Sequence, residues 1–157
     1  MVEQQEASED AVMTRIGQAI MLLHGGDREE ARNRFGALWT ELGADGDALH
    51  RCTLAHYMAD TQDDPGDELA WDLRALTAAE GAGDGRSAEH RHLPAVRAFY
   101  PSLHLNLAAD YLKLQRPDSA RIHLQRARAA AESLADDGYG GGVRAAIDRL
   151  ELRLRGQ

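Results

Sequence analysis

Apolar residues recur every three or four positions along most of the chain, the spacing of helices with one buried face. β-Branched residues are sparse, whereas Ala, Leu, Arg and Glu, all strong helix formers, dominate. Punctuation then divides the chain. Ser8 caps a first helix that stops at His24-Gly25-Gly26. Asp27 with Glu30 makes a capping-box-like start, DREE, for a second helix through Phe35, Leu38, Trp39 and Leu42 to Gly43. Asp47 opens a third, closed by QDDPG. Asp67 opens a fourth, with Leu69, Leu73 and Leu76 on one face, ending at Gly81. GAGDGRSAEHRH, rich in Gly and polar residues, reads as a mobile loop over 81–93. Pro94 to Phe99 reads as a short helical turn. Pro101 fits the first turn of a fifth helix that ends near Gln115. Pro117 and Asp118 begin a sixth, which runs to Asp136-Asp137-Gly138. YGGG, 139–142, follows as helix stop and hinge. The seventh helix carries Val143, Ile147, Leu150 and Leu154 inward, with Arg144–Asp148 and Glu151–Arg155 paired at i, i+4 outside.

Seven helices joined by short connections invite a search for internal repeats. At an offset of 50, Ala59-Asp60 falls on Ala109-Asp110 and Ala70 falls on Ala120. The last pair reads His104-x2-Leu107-Ala108-x2-Tyr111…Ala120-x3-Leu124. The first reads Arg15-x2-Gln18-Ala19-x2-Leu22…Ala31-x3-Phe35, and the second Leu54-x2-Tyr57-Met58-x2-Thr61…Ala70-x3-Arg74. This pattern resembles the tetratricopeptide repeat, over about residues 10–155. The spacing is irregular: Ala31 to Ala70 is 39 residues and Ala70 to Ala120 is 50. The resemblance implies an all-α, right-handed superhelix. Its hairpins span about 10–43, 47–81 and 101–137, capped by a helix over 141–155, with residues 1–9 a disordered N-terminus. Ala31, Ala70 and Ala120 let paired helices approach closely; Phe35, Leu107, Tyr111 and Leu124 fill the space between neighbours.

In proteins of this family the first helix of each hairpin lines a concave groove. The resemblance therefore implies a groove walled by Cys52, His56, Asp60 and Asp63 from one hairpin and Ser102, Asn106, Asp110 and Lys113 from the next. Met13, Gly17, Met21 and His24 form the equivalent ridge of the first. Peptide-binding members use an Asn in the slot of Asn106 to hold a ligand backbone. Lys113 is the one clear cation on these ridges. The implied function is a non-catalytic protein- or peptide-binding module with no cofactor.

The same residues suggest other chemistries. His56 with Asp60, Asp63 and His24 is the candidate metal set, since His and carboxylate suit zinc, iron or manganese. There is no HExxH, and no Glu-x-x-His pair on matching helices as in carboxylate-bridged di-metal bundles. Cys52 lies one turn from His56, but a cysteine on a regular helix has no free backbone amides to stabilise an oxyanion. His90 and His92 form an H-x-H in the loop. His50 points away from His56 by about 240°. His104 fills the family's Trp slot, His123 packs between hairpins, and Trp39 and Trp71 read as packing residues. YGGG lacks the strand and the Lys-Ser/Thr ending of a phosphate loop.

Charge sharpens the choice of partner. The 157 residues carry a net −8. Residues 1–80 hold 17 Asp/Glu against 6 Arg; residues 81–157 hold 9 against 12 Lys/Arg. No dense basic stripe exists, which argues against nucleic acid, and the acidic half favours a partner with Arg, Lys or a free amine. There is no apolar run of the ~20 residues a membrane span needs. The start MVEQQEASED lacks the basic and apolar regions of a signal peptide. The single cysteine excludes an internal disulfide. The expectation is a cytoplasmic protein that binds a protein partner or forms a homodimer.

Overall fold

The structure, a computed structural model, describes the backbone of residues 2–82 and 93–156 and the side chains of 11–81 and 94–156. Those residues form helices α1 (Val2–His24), α2 (Arg28–Leu42), α3 (Ala48–Ala59), α4 (Pro65–Ala82), α5 (Leu93–Lys113), α6 (Pro117–Ala131) and α7 (Gly138–Arg155), with no strand among them. His90, His92 and most of the loop expected over 81–93 lie outside the described residues.

The hairpin turns follow from a few local choices. Gly26 takes φ +94°, which only glycine adopts freely, so the Asp27 amide reaches back to the Leu22 carbonyl at 2.9 Å and closes α1. Gln115 does the same work at φ +60°, bringing the Arg116 amide to the Tyr111 carbonyl at 2.8 Å. Asp47 caps α3 by accepting from the amides of Leu49 (2.9 Å) and His50 (3.2 Å). The capping box expected at Asp27 does not form: that residue sits at φ −91°, ψ 67° and its side chain makes no cap hydrogen bond.

Each helix packs on the next, and α1 also meets α3, α3 meets α5, and α5 meets α7. Three successive cores result. Ile16, Ala31, Phe35 and Leu54 join α1, α2 and α3. Cys52, Ala75, Ala79, Val96, Leu103 and Leu107 join α3, α4 and α5. Ala120, Leu124, Val143, Ile147 and Leu150 join α6 and α7 to the end of α5. Ala31 and Ala120 are fully buried. In α4 it is Ala75 and Ala79 that are fully buried, while Ala70 is only half-buried.

Several sequence expectations change. α1 starts at Val2, ahead of the Ser8 cap, through residues that contain neither Gly nor Pro. The turn at Pro94–Phe99 and the helix from Pro101 are one helix, α5. Pro101 lacks an N–H for the Arg97 carbonyl, yet α5 runs through it and its side chain is fully buried. YGGG belongs to the first turns of α7, which Asp137 caps by accepting from the Gly140 amide at 2.8 Å. Arg144 does not pair with Asp148. It bends back to the carbonyls of Ala131 (3.1 Å) and Leu134 (2.7 Å), satisfying the end of α6. Arg128 takes Asp148 and Glu151 at 3.0 and 2.6 Å, and Glu151 also meets Arg155 at 3.6 Å. Leu73 points outward, because the inward face of α4 runs through Asp72, Ala75, Leu76 and Ala79.

Candidate functional site

The residues expected to wall a groove separate into three environments. Cys52 leaves it altogether. Its side chain is fully buried in the α3–α4–α5 core, where burial pushes the thiol up to about 12. A thiol so desolvated is neither nucleophile nor ligand. Asp63 leaves it too, since α3 ends at Ala59 and Asp63 lies in the following turn. There it pairs with Arg28 at 2.6 Å and Arg32 at 3.7 Å, while those arginines also hold the carbonyls of Gln62 and Thr61. Asp63 thus fastens the α3–α4 turn to α2.

His56, Asn106 and Ser102 stay on adjoining faces of α3 and α5. The Asn106 amide donates to His56 Nδ1 at 3.3 Å, which leaves the imidazole proton on Nε2. The ring lies edge-on to Tyr57 and Phe99, at 5.1 and 5.7 Å between centroids. Burial lowers its pKa to about 4, so it is neutral at neutral pH. Ser102 is engaged with α7: Tyr139 donates its hydroxyl proton to the Ala98 carbonyl at 2.9 Å, so Ser102 donates to Tyr139 at 2.7 Å.

The third environment is acidic. Lys113, at the end of α5, pairs with Glu68 of α4 at 2.8 Å. Beneath them Asp110 and Asp72 are both buried, at 2% and 1% exposure, with their carboxyl groups within hydrogen-bonding reach of each other. Asp72 Oδ1 and Asp110 Oδ2 have no hydrogen-bond partner. Desolvation raises both, and the like charge of the partner adds to the rise in Asp72. One proton shared across the pair supplies the donor that each orphan oxygen lacks. Asp60, at the C-cap of α3, is exposed and sits close enough for Glu68 to raise it and for Lys113 and His24 to lower it; partial desolvation is the largest cause of its net upward shift.

Asp72 and Glu68 were not foreseen. Their spacing, i and i+4 on α4, puts them on one ridge, but the leucines at 69, 73 and 76 carry the apolar pattern of that helix. The metal set also dissolves: His56 Nδ1 is committed to Asn106 and Asp63 to Arg28. Among the described residues no three His, Cys, Asp or Glu side chains are grouped to hold a metal ion.

Two aromatic clusters stand apart from these walls. His104 and His123 stack at 5.4 Å with their Nδ1 atoms 3.1 Å apart, between Tyr100 and Tyr111. Burial lowers both histidines, His104 to about 4, so a neutral donor–acceptor pair forms. His123 therefore packs inside the α5–α6 hairpin. Trp39 and Trp71 meet edge-to-face at 5.3 Å and 81° across α2 and α4, as packing residues.

Comparison with protein-family models, curated proteins and solved structures finds no match to this chain. Among the described residues no helix is long and apolar enough to cross a membrane.

Proposed function

We propose that the chain is a non-catalytic, tetratricopeptide-repeat-like module that holds an extended protein segment along the joined faces of α1, α3 and α5. The observation that carries this reading is the side-by-side packing of those odd-numbered helices, with Asn106 bonded to His56 across α3 and α5. Such stacking gives helical repeats a continuous concave binding wall. Exposed methionines on α1, Met13 at 39% and Met21 at 74%, extend that wall with adaptable apolar surface. The acidic end of the wall, Asp60 with Glu68 over the Asp72–Asp110 pair, suits a segment that carries Arg or Lys. Glu68 already receives one internal ammonium, from Lys113.

Selection of displayed random peptides on the purified chain tests this reading. Peptides enriched in Arg or Lys are expected. Asp60→Asn and Glu68→Gln should each weaken their binding by about tenfold, or about 1.4 kcal/mol, with helicity unchanged. Equal affinity in both variants and in Asn106→Ala would overturn the groove assignment.

A further inference from the structure

The acidic half of the chain has six arginines among 17 carboxylates, so each has a choice of partners. Four take one: Arg15 pairs with Glu41, Arg28 and Arg32 with Asp63, and Arg34 with Glu30. The other two, Arg51 and Arg74, have no carboxylate partner among the described residues, and both line the same cavity. It holds about 480 Å³ between the α2–α3 turn, the start of α3 and the second half of α4. That is the opposite end of the α3–α4 hairpin from Asp60 and Glu68.

Both guanidiniums are held in place by rings. Arg51 lies over Trp39 at 4.2 Å and Arg74 over Trp71 at 4.3 Å, and the two indoles brace each other edge-to-face. Arg51 also donates to the Gly43 carbonyl. The acid nearest to Arg51 in sequence, Asp47, is spent on the α3 cap. Leu73, Ala48 and Ala78 give the cavity apolar wall, and the volume falls in the range of small-molecule sites. Asp45 lines it too, without an ion pair to either arginine.

We propose that this cavity binds a phosphate monoester, with the guanidiniums of Arg51 and Arg74 sharing the dianion and the apolar wall receiving its organic part. Planar guanidinium forks match phosphate oxygens in pairs, and two cations balance the two charges of the ester near neutral pH. The ester comes either from a small metabolite or from a phosphorylated side chain, and the chemistry at the arginines is the same.

The test titrates the full chain with phenyl phosphate, with an O-phosphoserine peptide and with inorganic phosphate at low salt. ³¹P shifts and tryptophan emission report binding, because the chain's two tryptophans lie under the two guanidiniums. Saturable changes are expected. Arg74→Gln, on an exposed face, should weaken binding by about tenfold or more. Arg51→Lys, which keeps the charge and loses the fork, should do likewise, and Asp45→Asn should tighten binding. Preference for the aryl ester or for the peptide identifies the source and supports the site in either case. No saturation with any of the three probes, or equal affinity in Arg51→Lys and Arg74→Gln, overturns the proposal. Equally tight binding of succinate would overturn the assignment to phosphate.

Discussion

The Asp72–Asp110 pair buries two carboxyl groups side by side. Two carboxylates buried together cannot both ionise cheaply, so the folded state binds a proton more tightly than the unfolded chain does. The sign follows. Stability from that proton is fully present below the ordinary carboxylate range near ~4 and is lost as pH rises through the raised value. Asp110→Asn removes one charge and places an amide donor against Asp72. It should therefore unfold at higher urea than the wild type at pH 8, by about 1–2 kcal/mol, with the advantage shrinking toward pH 5. Urea titrations at the two pH values measure this, and a difference independent of pH would refute the shared proton. The sequence points to Asp110 as a groove residue and not to its burial. Asp110 follows from the repeat offset that aligns it with Asp60, whereas Asp72 lies among leucines and alanines. Nothing local in α4 marks it as inward-facing, because the partner that defines its environment is 38 positions away in α5.

At the scale of elements, the glycines of YGGG separate by what surrounds them. A Cβ on Gly140 would collide with the Ala135 carbonyl, part of the turn that α7 closes against. At Gly142 it would meet open space. Gly142→Ala should raise the melting temperature, since Ala in a helix interior is favoured over Gly by roughly 1 kcal/mol. Gly140→Ala should lower it by more than that gain, because backbone must move. Calorimetry on the two variants checks the order, and its reversal would misplace the start of α7. From sequence the glycine run reads as a stop and hinge, the usual meaning of such a cluster. The Asp137 cap and the Arg144 bonds to the end of α6 draw it into the helix instead. Pro101 carries the same lesson. Read locally it starts a helix, but packing of Val96 and Leu103 in one core makes the segments before and after it continuous.

For the whole molecule, α7 decides whether the last core is covered. Val143, Ile147, Leu150 and Leu154 lie over Leu124, Ala127 and Ala131 of α6, while the opposite side of α7 carries Asp148, Arg149, Leu152 and Arg153, all exposed. Deleting residues 138–157 should leave an apolar strip on α6 and cause self-association, seen as a rise in mass by light scattering. A monodisperse truncated chain would show that α6 needs no cover. The sequence by itself determined the helices, most of their ends, and the inward residues of α2, α6 and α7. Periodicity and capping act within a few residues, so they are legible without neighbours. Only the tertiary structure decided that Cys52 is core, that Asp63 belongs to Arg28, that Asp72 meets Asp110, and that Arg51 and Arg74 share a cavity. Each of these depends on which faces of distant helices come together, and burial, pairing and desolvation are properties of that meeting rather than of any stretch of chain.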